Sequence, residues 1–336
     1  MCDKLGLFVY AFFLISLTFG IYIRKKNPVI LALTFLLITF FASLRGGSGV
    51  DTALYIQRFQ NITFDKISIV EPILPTMMFL SKNIMNSFTL FSIFYGLLLS
   101  SLYYILFKNN KNSIYFGLSI FPLIYIDSLY NGLRIGLAYP ILFLAIVNSS
   151  KSYLLFSVTA HISSLLITPL IIIKKKYIFL GILTAAVYIY IIGFPVEFIS
   201  ERYISKYYKY QELVSRSSFA GIADTVGLFI SLIIYYITVL NYKEKKLFYA
   251  ITLTFFVLFI LYFILINKFM FMLRIVRLSM IAVFALIATN QNKINKLALY
   301  ISLAFGILYS LNYLRQISAT CVYPNGGFLP MQLIFT

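Results

Sequence analysis

Acidic residues, histidine and cysteine are all scarce in this chain, and each scarcity closes off some chemistry. A single histidine, His161, and two cysteines, Cys2 and Cys321, among 336 residues leave no HxxxH or CxxC spacing. There is neither a disulfide framework nor a recognisable set of metal ligands, which argues against a transition-metal enzyme. No metal and no cofactor are expected. Charged residues make up only 11% of the chain, and no polar stretch is long enough to form a second, soluble domain. The first apolar run, Leu5 to Ile23, has an acidic residue before it, bases after it and no small-residue cleavage site. It reads as a true membrane span rather than a signal peptide.

What the chain has in quantity is apolar length. It is 61% hydrophobic with a mean hydropathy of +0.92, and its apolar runs repeatedly reach the roughly 20 residues that cross a bilayer. The expected fold is an all-α polytopic membrane protein, a single transmembrane domain over residues 1–336. The net charge of +18 would point to nucleic acid in a soluble protein. With no basic stripe on a water-soluble fold, it points here to membrane topology plus an anionic ligand, and no nucleic-acid partner is expected.

Loop charge orients the spans. Arg24, Lys25 and Lys26 follow the first span at once, so by the positive-inside rule they are cytoplasmic and the N-terminus lies outside. Pro28 to Leu44 returns outward and delivers Arg45 to the outer face. Residues 45–86 form a first periplasmic loop, with an amphipathic segment from Thr52 to Lys66 and an apolar one from Glu71 to Asn86. Pro72, Pro75 and Lys82 interrupt the apolar one, which predicts a broken, interfacial or re-entrant helix. Ser87 to Phe107 crosses inward to Lys108 and Lys111. Ser113 to Tyr130 goes out, and a span opened by Arg134 runs inward to about residue 148.

Tyr153 to Ile173 has lysines at both ends and is interrupted by His161 and Pro169. It crosses once or forms a hairpin of two half-helices meeting near His161, and the hairpin keeps all the lysines on one side. Further spans run from Tyr177, Thr225, Leu247, Met270 and Leu297, with residues 195–224 as a large periplasmic loop. The inner loops then hold half of the 28 Lys and Arg residues and one acid, Glu244. That pattern fits about ten transmembrane helices plus one re-entrant or short helical hairpin.

Four arginines stand out against this map. Arg45, Arg134, Arg274 and Arg277 each sit at or just inside the outer end of an apolar span. Any one of them could snorkel to the headgroups at little cost. Four on one face are better explained by a shared anion, because an arginine near hydrocarbon is held by a partner or a function. Arg274 and Arg277 are spaced i, i+3 and point the same way from one helix. Asp51 and Asp127 are the only acids expected near enough to pair with them, Asp127 locally with Arg134. Guanidiniums short of carboxylates suit a pyrophosphate, whose oxygens match the arginine fork.

Beside Arg45, three glycines in four residues (Gly46, Gly47, Gly49) let backbone N–H groups approach a bound group. Asp51 is either the N-cap of the helix carrying Tyr55 and Arg58 or a chemical group. His161 is either a hydrogen-bonded structural residue or one that handles protons or sugar. The tyrosine-rich run from Tyr203 to Tyr210 is an interfacial belt, a sugar-stacking surface, or both.

Together these residues resemble the bacterial polysaccharide polymerase family, Wzy, and within it the EpsG-like group. The likeness rests on Arg45-Gly46-Gly47 with Asp51 and Tyr55 after the second span, and on Asn131-Gly132-Leu133-Arg134 leading into a span. His161-Ile162-Ser163-Ser164 on an interrupted helix, the charged tyrosine-rich outer loop, and Arg274 with Arg277 complete it. The resemblance implies a bundle similar to GT-C glycosyltransferases, with a cavity on the outer face of the bacterial inner membrane. It implies undecaprenyl-pyrophosphate-linked oligosaccharide as both donor and acceptor, membrane lipid around it, and in some systems a chain-length regulator as partner. Neither nucleotide sugar nor metal would be needed. The product would be O-antigen or capsular or exopolysaccharide. Arg45, Arg134, Arg274 and Arg277, with Tyr55, Gly46 and Gly47, would bind pyrophosphate and glycan, and Asp51 and His161 are the catalytic candidates. Two alternatives share some of these features: an O-antigen ligase, and a flippase or transporter for lipid-linked oligosaccharide.

Overall fold

The computed structural model describes residues 4–24, 27–44, 52–67, 71–109, 121–130, 132–148 and 150–161. It also describes Gly117, Ser164 and scattered positions between 226 and 237 and between 296 and 311. The chain divides into two compact units, Met1–Ser164 with Ser302–Thr336, and Leu165–Ile301. The second unit contributes isolated helical positions such as the buried Ile234; the architecture below is that of the first. Among the described residues every regular element is helical.

The first two helices follow the apolar runs closely. Helix α1 covers Lys4–Ile23 and α2 covers Pro28–Ser43. Asn27 caps α2 from an extended backbone, its side chain accepting from the Val29 amide, and Pro28 occupies the first helical position, where no N–H is needed. Helix α3 spans Thr52–Gln60, followed by a single 3-10 turn at Phe64–Lys66. Helix α4 spans Ile73–Met85, α5 Phe88–Asn109, α6 Phe121–Tyr130, α7 Leu133–Val147 and α8 Lys151–Ala160. Among the described residues Phe88–Lys108 is the one stretch both long and apolar enough to cross a membrane, with shorter apolar helices at Ala11–Ile23, Pro28–Ser43 and Leu133–Ala145.

The segment from Glu71 to Asn86 corrects an expectation. Its prolines do not break it. Pro72 is the N-cap of α4 and Pro75 lies in the first turn, where backbone N–H groups have no intrahelical acceptor, so a missing donor costs nothing. The ladder begins with the Thr76 amide donating to the Pro72 carbonyl at 2.9 Å. Lys82 does not interrupt it either: its ammonium donates to the Gln60 and Ile62 carbonyls at the end of α3, at 2.6 and 3.3 Å.

Helix α5 is the post against which α2, α4 and α7 pack, and α8 lies against α7 and α4. The core between them is aromatic. Phe35, Phe91, Tyr95, Tyr103, Phe107, Phe121 and Tyr125 are all buried, and the rings of Tyr103 and Phe107 each stand edge-on to Phe121 with centroids 4.6 Å apart. Such pairs add about 0.5–1.5 kcal/mol each beyond their burial. One polar knot crosses this core. The Thr39 hydroxyl lies 2.8 Å from that of Ser100 and 3.2 Å from that of Tyr125, and the last two are 2.6 Å apart. It ties α2, α5 and α6 together where no water competes. Gly96 permits the approach, since a Cβ there would lie 2.5 Å from Thr39 Cγ2.

The bundle has two chemically different ends. At one, the buried Arg24 donates from Nη1 to the Ile21 carbonyl and from Nε to the Phe107 carbonyl, at 2.8 and 3.2 Å. A cation there meets the negative ends of α1 and α5. At the other end, the Tyr95 hydroxyl donates to the carbonyls of Ser128 and Leu133 at 3.1 and 2.8 Å. Tyr95 and Phe107 lie on one helix, twelve residues apart by number, roughly 18 Å along its axis.

Candidate active site

At the Tyr95 end, side chains from α7 and from the end of α8 converge on one carboxylate. Glu71 stands directly before Pro72, the N-cap of α4. A residue preceding proline disfavours helical backbone, so α4 cannot extend back through it, and the carboxylate stays beside the positive end of that helix. Its Oε2 accepts from Nη1 of Arg134 at 2.9 Å, and its Oε1 lies 3.8 Å from Nδ1 of His161. The three side chains are 13%, 30% and 6% exposed, respectively.

Each partner is placed by local structure. Arg134 sits in the first turn of α7. The Tyr95 hydroxyl fixes the start of that helix, and Gly136 makes room for it: a Cβ at Gly136 would fall 2.5 Å from the Tyr95 oxygen. His161 ends α8. Its amide donates to the Ser157 carbonyl, its backbone turns extended, and its carbonyl accepts from the Ser164 amide at 3.0 Å. The interruption at His161 expected from sequence is present; the second half of the proposed hairpin lies outside the described residues. Tyr55, buried on α3, carries the Arg58 guanidinium over its ring at 5.9 Å and lies within hydrogen-bonding reach of Arg134.

This arrangement has defined chemical capacities. A carboxylate beside Nδ1 of an imidazole can fix the tautomer and stabilise the imidazolium, which makes the other ring nitrogen a serviceable base. The 3.8 Å separation exceeds a hydrogen bond, as is common before substrate tightens a catalytic contact. Arg134 presents a planar fork of donors, of which Nη1 is committed to Glu71. Its Nε–H is buried and has no acceptor among the described residues; an unmet donor of that kind costs about 1–3 kcal/mol. No group of three or more His, Cys, Asp or Glu that could hold a metal occurs among the described residues.

Of the residues nominated from sequence, the structure brings Tyr55, Arg134 and His161 together. Arg45, Gly46, Gly47, Asp51, Arg274 and Arg277 lie outside the described residues, as does the side chain of Asp127. The expectation that only Asp51 and Asp127 could pair with the outer arginines is corrected: the partner of Arg134 is Glu71, from 63 positions away in sequence. The available signal was an acid, one of only ten in the chain, between Val70 and Pro72 at the head of an apolar segment.

A model of the EpsG family matches residues 28–333 of the chain. The protein belongs to the EpsG family. EpsG-family membership makes it a membrane protein of polysaccharide biosynthesis, similar to the Wzy polymerases and acting on lipid-linked polysaccharide as a polymerising glycosyltransferase-like enzyme. The match takes in every element that builds the cluster, from α2 through α8 and beyond. Curated proteins and solved structures give no match.

Proposed function

We propose that this EpsG-family protein polymerises undecaprenyl-pyrophosphate-linked oligosaccharide repeat units at the outer face of the bacterial cytoplasmic membrane. The observation that carries the reading is the convergence of Arg134 and His161 on Glu71. An anion-binding guanidinium and a base are what transfer of a glycan from a lipid pyrophosphate requires. The Arg134 fork holds the donor pyrophosphate, aided by Arg45, Arg274 and Arg277, and stabilises the charge that builds on it. An acceptor hydroxyl at the non-reducing end of a new repeat unit attacks the anomeric carbon of the growing chain. The bond from that carbon to the pyrophosphate oxygen breaks, and its electron pair leaves with undecaprenyl pyrophosphate. The hydroxyl proton passes to His161, or to Asp51 where that carboxylate reaches the acceptor. Gly46 and Gly47 are assigned to binding the headgroup, and Tyr55 backs the arginine. Residues 45–86 and 195–224 are read as periplasmic loops, while a polyprenyl tail stays among the lipids.

The test is polymer length in cells carrying Arg134→Ala or Arg274→Ala at normal protein level. The expected outcome is loss of long-chain polymer with single repeat units accumulating. Normal polymer in both variants rejects the anion anchor. Transfer of finished glycan to lipid A core would instead identify a ligase, and movement of lipid-linked units without any new bond a transporter.

A further inference from the structure

Glu71 faces a residue assigned to the donor and a residue assigned to the acceptor, and one carboxylate cannot serve both fully. Its oxygens are divided, Oε2 at 2.9 Å from the Arg134 guanidinium and Oε1 at 3.8 Å from the His161 imidazole. The near contact is a charge-assisted hydrogen bond; the far one is longer than any hydrogen bond. In this state the shorter of these two contacts is the one to the arginine.

We propose that Glu71 is a positioning residue which the donor's pyrophosphate hands over from Arg134 to His161. The inference rests on the polymerase reading above and adds an order of events to it. A pyrophosphate brings two or more negative charges on oxygens that fit the guanidinium fork, and it competes with a single carboxylate for Arg134. Once displaced, the carboxylate has about 1 Å to travel before it accepts from Nδ1–H of His161. That contact stabilises the imidazolium, so the ring becomes a stronger base when the donor is in place. In the reacting complex the acceptor hydroxyl gives its proton to Nε2 of His161, Nδ1–H stays bonded to Glu71, and the leaving pyrophosphate takes the electron pair of the broken bond at Arg134. An empty site holds a weaker base, which disfavours activating a hydroxyl or a water before a donor has bound.

Lys82 on α4 is bonded to the Gln60 and Ile62 carbonyls. Arg58 on α3 lies over the Tyr55 ring, and Tyr55 adjoins Arg134. Tyr139 shares α7 with Arg134, and Lys151 starts α8 while His161 ends it. Among the described residues, Glu71 brings a carboxylate oxygen to 3.8 Å from the imidazole.

One property makes the test direct: His161 is the chain's single histidine, so isotope-labelled histidine in the full-length protein gives one imidazole to titrate by NMR. The probe is farnesyl pyrophosphate, added to wild type, Glu71→Gln, Glu71→Asp and Arg134→Ala in nanodiscs. Saturation with probe should raise the His161 pKa by about one unit in wild type, and by less in Glu71→Asp, whose carboxylate is one methylene shorter. In Glu71→Gln the rise should be largely lost, although the variant binds the probe at least as tightly as wild type because Arg134 has no competing carboxylate. Its turnover should fall about 100-fold with no increase in KM for the donor, a split that a merely structural role would not produce. Equal pKa rises in wild type and Glu71→Gln overturn the hand-over and leave the polymerase reading standing. Failure of wild type to bind the probe, or undiminished binding by Arg134→Ala, overturns the anion anchor and the hand-over with it.

Discussion

A glutamate between a valine and a proline belongs to no helical or strand spacing with Arg134 or His161, which is why Glu71 is invisible to spacing arguments. Arg134 and His161 were legible because each violates its surroundings, an arginine opening an apolar span and a lone histidine interrupting one. Glu71 violates nothing until α4, α7 and α8 are packed, since its partners lie 63 positions on at Arg134 and farther still at His161. The identity of the cation at residue 134 should matter as much as its charge. Arg134→Lys keeps the charge and loses the planar fork; polymerising activity should drop about 100-fold, measured as chain length against protein level, with the thermal midpoint little changed. Tyr95 is the supporting residue to examine. Tyr95→Phe keeps the ring and strips the donor from two buried carbonyls, so the bundle should lose about 1–3 kcal/mol in thermal or denaturant unfolding. Gly136→Val should be worse, because its side chain would occupy the position of the Tyr95 hydroxyl.

At the scale of single elements, the legible boundaries were those set by local chemistry. The end of the first span at Ile23, the start of the second at Pro28 and the stop of α8 at His161 depend on caps, prolines and apolar runs. The nature of α4 was not legible, because a proline means different things at different helix positions. Pro72 and Pro75 start the helix although composition reads them as breakers. Pro75→Ala should therefore be nearly neutral, within about 0.5 kcal/mol. Met78→Pro, placed mid-helix, should cost about 3 kcal/mol and detach Lys82 from the end of α3. Circular dichroism and thermal unfolding of the two variants check the contrast. Equal damage from both would mean that α4 does not run unbroken from Ile73 to Met85.

At the scale of the whole molecule, the proposed orientation rests on the alternation of basic, acid-poor inner loops with outer segments of mixed charge. The carbonyls bound by Arg24 lie at one end of α5, while the Glu71 cluster gathers beyond Tyr95 toward the other. The proposed topology would put Arg24 on the cytoplasmic side and the cluster on the outer side, and cysteine labelling tests it. In a protein with Cys2 and Cys321 changed to serine, Thr63→Cys should react with a membrane-impermeant maleimide on intact cells whose outer layers admit it. Lys25→Cys should react only after the membrane is opened. The grouping of Arg45, Arg274 and Arg277 with Arg134 is a pattern of sequence, and single alanine substitutions in the chain-length measurement assign each of them to the anchor or to the headgroup region.

The most direct measurement is polymerisation by purified protein in nanodiscs, supplied with undecaprenyl-pyrophosphate-linked repeat units and no nucleotide sugar. Wild type should give a ladder of products longer than the starting unit, and Arg134→Ala and His161→Ala should leave single units although both variants fold and insert. Ladders of wild-type length and rate from both variants would contradict the assignment of the Arg134, Glu71 and His161 cluster as the place where the glycan changes carriers.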